Sequence, residues 1–148
     1  MTIRRRFALV YLVLAGALAG AGVFGWTVAH GAGGGCGSPT GSEDPLATAV
    51  AFLHTTVERV RPNEGYRLLT AADRRMTTCS SWRAGRIPFP VYRRIDWGRS
   101  SYKVVAGGTG QLVLRIVLRS QIGVGPARFL LELRQEGLLW RVGFFGRG

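Results

Sequence analysis

An α+β domain carried behind one transmembrane helix is the fold class that the sequence predicts. Three observations lead there. An uncharged apolar run fills residues 7–29, a helix-period apolar stripe opens at Leu46, and the last third of the chain changes to two-residue alternation interrupted by glycine turns. The 148 residues leave room for one compact module behind the apolar run.

Residues 1–6 carry Arg4, Arg5 and Arg6 and read as a basic cytoplasmic N-terminus. The run that follows, Phe7 to Ala29, would reach about 34 Å as a helix, enough for the roughly 30 Å hydrocarbon layer. The positive flank keeps the N-terminus inside and sends the remainder to the far side of a membrane, with Trp26 suited to the exit interface. A cleavable signal has a shorter apolar core and an A-x-A-like site, whereas the nearest small pair here is Ala29 with Gly31. A lipoprotein signal prefers a branched aliphatic residue where glycines precede Cys36. The expectation is therefore an uncleaved signal anchor at 7–29, a glycine-rich linker at 30–44 and an extracytoplasmic domain at 45–148. A cleaved or lipidated secreted ligand-binding protein is the alternative. Gly16 and Gly20 form a G-x-x-x-G that would serve as a membrane dimer seam, a spacing that also arises easily in an Ala/Gly-rich run.

The net charge of +12 comes from 20 basic residues against 8 acidic ones, and Lys103 is the only lysine. Such a field attracts phosphates without choosing among their carriers. Cys36 and Cys79 both fall on the oxidising side of this topology, where a disulfide would persist. The glycine setting of Cys36 offers no geometry, so the sequence leaves their pairing open. His30 and His54 show no zinc-ligand spacing with them, and neither a metal nor a cofactor is expected.

Within the module, Asp44 and Pro45 make an N-cap and first-turn pair. Leu46, Ala49, Val50, Leu53, Val57 and Val60 then fall on one helical stripe that Pro62 ends, with His54 at its margin. "YRLLTAADRRM" predicts a short helix through Tyr66, Leu68 and Leu69, then a second one at Ala71 to Met76 capped by Thr70. Residues 80–99 contain Pro88 and Pro90 and read as a loop with short extended pieces. "SYKVVA", "QLVLRIVLRS", "ARFLLELRQ" and "LLWRVGFF" predict an antiparallel meander, separated by "GGTG", "GVGP" and "QEG". Leu112, Leu114, Ile116 and Leu118 share the packed face of the second strand, and Arg115 and Arg119 the wetter one.

The segments "DPLATAVAFLHTTV", "YRLLTAADRR" and "LELRQEGLLWRVGFF", in that order, resemble the first helix, second helix and last hairpin of the nuclear transport factor 2-like superfamily, also called the SnoaL-like or cystatin-like fold. The resemblance is to its membrane-anchored actinobacterial type, and it covers residues 45–145. It implies a cone-shaped domain in which N-terminal helices pack on a curved antiparallel sheet. Enzymes of the superfamily, ketosteroid isomerases and polyketide cyclases, hold a carboxylate base and an oxyanion donor inside the cone; the isomerase is a well-described case of such pKa tuning.

Trp82, Phe89, Tyr92, Asp96 and Trp97 are the candidate pocket residues. Asp96 is the most interesting acid, with Tyr92 four residues before it, but Arg93, Arg94 and Arg99 surround it in sequence and point to a structural ion pair. Asp73 reads as a first-turn acid. No catalytic residue is assigned. "WRAGRIPFPVYRRIDWGR" interleaves basic and aromatic residues in the manner of a nucleic-acid surface, yet an exported domain rarely meets nucleic acid and none is expected as a partner. The glycine sets are hairpin turns, because no helix start follows them to complete a phosphate site. The functional expectation is a non-catalytic module for protein interaction or for a small apolar ligand, accessory to an envelope complex, in single-pass membrane form and with homodimerisation through the seam as an option. An isomerase-like or cyclase-like enzyme is the rival reading.

Overall fold

The structure, a computed structural model, describes residues 36–147. The apolar run, Gly16, Gly20 and the first part of the linker lie outside the described residues, and among those described no helix is long and apolar enough to cross a membrane.

Asp44 starts α1 (Pro45–Phe52) as the sequence suggests: its carboxylate accepts from the Leu46 N–H at 2.9 Å and Pro45 takes the first helical position. The helix then widens. Leu53–Val57 is a π-helical turn, closed by a bond of 2.9 Å from the Glu58 N–H to the Leu53 carbonyl. This wide turn shifts the register, so Phe52, Leu53, Thr56 and Val57 all face inward with no exposure. Val60, expected on the same stripe, is instead 50% exposed, because the helix ends at Val57 and the chain turns away through the left-handed Arg59 before Pro62 is reached.

Pro62 begins a helix as well as following one: α2 (Pro62–Arg67) has it in the first turn. Gly65 in α2 lies so close to the π turn that a β-carbon there would overlap Thr56 Oγ1, so only glycine permits this approach. Thr70 caps α3 (Ala71–Met76), accepting from the Asp73 N–H at 3.2 Å. Residues 80–99, expected as loop and extended pieces, open with helical residues. Thr78 caps a short α4 (Cys79–Arg83), and irregular chain follows only after it.

The C-terminal third is a four-stranded antiparallel sheet in the order β1-β2-β3-β4, with β1 (Ser101–Gly108), β2 (Gln111–Leu118), β3 (Ala127–Glu136) and β4 (Leu139–Arg147). Each neighbour is next in sequence. Gly110 at φ 72 supplies the left-handed residue needed to reverse the chain between β1 and β2. The register pairs Ile116 with Phe129 and Leu114 with Leu131 on the inner face, while Arg115 and Leu130 pair on the outer one.

Helix α1 packs on β3 and β4, and α3 on β4. Between layers lie Phe52, Leu53, Ile116, Leu131, Leu133 and Val142, each buried at 2% exposure or less and each stabilising the fold by roughly 1.5–3 kcal/mol. The chain is thus α+β, helices on one face of an antiparallel sheet. The two sheet edges differ. Ser42 bridges to Trp140 and Leu69 to Val142, which covers the first half of β4, whereas β1 pairs only with β2 among the described residues and bulges between Val104 and Ala106.

Tyr102, opposite Ile116 on the inner face of β1, is largely withdrawn from water, and burial pushes its hydroxyl up to about 12 from 10.0. A folded value above the unfolded one gives stability that is whole below pH 10.0 and disappears as the pH climbs to about 12. Urea unfolding near pH 9 and near pH 11.5 checks this: the loss in the parent chain should exceed that in Tyr102→Phe, whose ring cannot ionise.

Candidate functional site

Where α1 runs out, three contacts fasten the helix exit to the chain from Phe89 to Ile95. Glu58 turns one carboxylate oxygen to His54 Nδ1 at 2.8 Å and accepts the Ile95 N–H on the other at 2.9 Å. Its neighbour Arg59 has φ 63, an uncommon value for a residue with a β-carbon. The Arg59 guanidinium folds back and donates to the Thr56 carbonyl at 2.8 Å and the Phe89 carbonyl at 2.7 Å, and burial lowers its pKa. The Tyr92 N–H donates to the Val57 carbonyl at 2.9 Å.

A second left-handed arginine lies in the facing loop. Arg94 has φ 52 and is bracketed by two bonds: Gln121 N–H to its carbonyl at 2.9 Å, and the following Ile95 N–H to Glu58. Between the helix exit and this loop is an open cleft of about 340 Å³ lined by Glu58, Arg59, Val60, Arg93 and Arg94. The cleft is therefore lined by three arginines, the guanidinium of Arg59 already bonded, and by one carboxylate whose oxygens are also engaged.

The five residues expected to form a pocket divide among three places. Trp82 and Phe89 belong to an aromatic cluster with Phe52 and Tyr66, with ring centroids at 5.0 Å for Phe52–Phe89, 5.8 Å for Trp82–Phe89 and 5.5 Å for Tyr66–Trp82. Tyr92 is buried elsewhere and donates its hydroxyl to the Gly125 carbonyl at 3.0 Å. Asp96 and Trp97 occupy the turn before β1. Asp96 takes Arg99 Nε at 2.6 Å, and that guanidinium holds its carboxyl below the usual carboxylate range. Arg93 and Arg94 are not its partners. Trp97 stands edge-on to His54 at 6.2 Å, which brings it alongside the Glu58 network.

Glu58 and Arg59 were not singled out from sequence. The i,i+4 spacing of His54 and Glu58 was the available signal.

Three further acids are also committed to structural bonds. Asp73 pairs with Thr70, Glu132 with Arg134 at 2.6 Å, and Glu136 with the Ala71 N–H at 2.9 Å and Arg141 Nε at 3.0 Å. Cys36 and Cys79 form a disulfide with Cα atoms 5.8 Å apart, joining the linker to the start of α4. Comparison with protein-family models, curated proteins and solved structures finds no match.

Proposed function

We propose that the chain is a membrane-tethered, extracytoplasmic, non-catalytic module for protein interaction, built as a variant of the nuclear transport factor 2-like cone and accessory to an envelope complex. The Cys36–Cys79 disulfide carries this reading. Such bonds persist outside the reducing cytosol, and this one sits just after an apolar run long enough to span a bilayer.

Two further observations support interaction over chemistry. An isomerase-like enzyme needs a desolvated carboxylate with a raised pKa, whereas Asp96 is held low by Arg99 and Glu58, Asp73, Glu132 and Glu136 are bonded to structural partners. Second, the outer sheet face mixes half-buried Val113, Val117 and Leu130 with exposed Arg115, Arg119 and Arg128, a combination suited to a protein partner. Trp82 and Phe89 spend their rings on core packing, which favours a protein over a small apolar ligand.

The test is made on the full chain in bacterial cells. The chain should stay in membranes through alkaline extraction, keep its N-terminal residues by intact mass, be cut by protease added to spheroplasts, and hold Cys36 and Cys79 oxidised. A cytosolic chain with two free thiols would end this reading, and a mass lacking the apolar run would favour the cleaved, secreted alternative.

A further inference from the structure

We propose that the cleft between the α1 exit and the Tyr92–Asp96 loop binds a phosphate-type oxyanion, with Arg93 and Arg94 as donors. Three features of the cleft converge on this ligand.

The first is the state of the arginines. Arg93 and Arg94 are exposed, and neither guanidinium has a hydrogen-bond or ion-pair partner among the described residues. Adjacent like charges repel, so a loop free to move would spread them. This loop is held on two sides, by Tyr92 N–H to Val57 and Ile95 N–H to Glu58 toward the helix, and by Asp96 N–H to Arg119 at 2.7 Å toward the sheet.

The second feature is backbone conformation. Arg59 and Arg94 are the non-glycine residues of positive φ among those described, and both line this one cleft. Residues kept in such conformations by their surroundings cluster at ligand clamps.

The third is electrostatic and geometric fit. The Arg59 guanidinium is committed to two carbonyls and adds charge behind the cleft without offering those donors. Glu58 directs its oxygens onto His54 and Ile95, away from an incoming anion. Guanidinium forks match phosphate oxygens bidentately, which carboxamide or hydroxyl linings do not. Val60, half exposed at the cleft wall, gives an apolar surface for the organic part of an ester. The ligand chemistry is accordingly a phosphate monoester or diester head, from either a soluble compound or a lipid headgroup.

The experiment uses the full chain in neutral maltoside micelles at low ionic strength, titrated calorimetrically with inorganic phosphate and with glycerol 3-phosphate. Saturable binding is expected, weakened at least tenfold in the double variant Arg93→Gln with Arg94→Gln. The control Arg115→Gln with Arg128→Gln removes equal charge from the outer sheet face and should change affinity less than twofold. Arg94→Gly keeps the left-handed backbone without strain and should therefore fold at least as well as the parent while binding several-fold more weakly. Doping the micelles with phosphatidylglycerol identifies the source: competition with inorganic phosphate assigns a lipid headgroup, and its absence alongside glycerol 3-phosphate binding assigns a soluble ester. No saturable binding by the parent, equal losses in the two double variants, or parent-like binding by a folded Arg94→Gly would each overturn the proposal.

Discussion

A chain carrying Trp82→Ala is expected to lose about 4 kcal/mol of stability, within the roughly 3–5 kcal/mol range for deleting a large buried aromatic ring. Trp82 is 1% exposed and contacts Tyr66 on one side and Phe89 on the other. Its indole N–H donates to the Pro62 carbonyl at 2.5 Å, so the ring also ties α4 to the start of α2. Alanine removes this volume from a site enclosed by helices that are themselves only five or six residues long. Short helices owe little to intrinsic propensity and most of their persistence to packing. Thermal unfolding should therefore shift down by roughly 20 °C for a domain of this size. Trp82→Phe keeps part of the packing but strands the Pro62 carbonyl and should cost about half as much. A Trp82→Ala loss below about 1 kcal/mol would mean that the helical layer closes over the gap.

Removing the disulfide is the second large perturbation, expected to cost about 4 kcal/mol on the chain-entropy model for cysteines 43 residues apart. The effect arises chiefly in the unfolded chain, because the native segment has other fastenings. The Thr40 N–H donates to the Arg67 carbonyl at 2.8 Å, Arg67 Nε to the Ser38 carbonyl at 2.8 Å, and the Trp140 N–H to the Ser42 carbonyl at 2.7 Å. A chain with Cys36→Ser and Cys79→Ser should thus unfold at about 2–3 M lower urea with an unfolding slope similar to the parent or slightly larger. Its Thr40 amide should still be protected from exchange under native conditions. Loss of that protection would place the effect in the folded state.

The strand pattern of β2 was legible because alternation is a local property: Leu114, Ile116 and Leu118 face one way whatever the partner strand is. The same holds for caps. Asp44 and Thr70 act through bonds to residues two and three positions ahead, so their helices began where the sequence placed them. Helix α4 escaped notice because "CSSWR" is too short to show a period. Val60 was misplaced because apolar spacing does not mark the point, just after the π turn, where the chain leaves the helix. The cleft was illegible for a stronger reason. Glu58 reaches the Ile95 amide 37 residues away, and the left-handed values at Arg59 and Arg94 are imposed by such distant bonds and not by arginine itself.

The unequal edges of the sheet set a limit on how copies could add to it. Ser42 and Leu69 occupy the border of β4 at Trp140 and Val142, so among the described residues β1 is the edge open along its whole length to a strand from another molecule. If two chains joined through that border, each would fill the other's open β1 edge. The pair would then share one continuous sheet of eight strands, bordered on each side by a β4 that Ser42 and Leu69 hold at its first half.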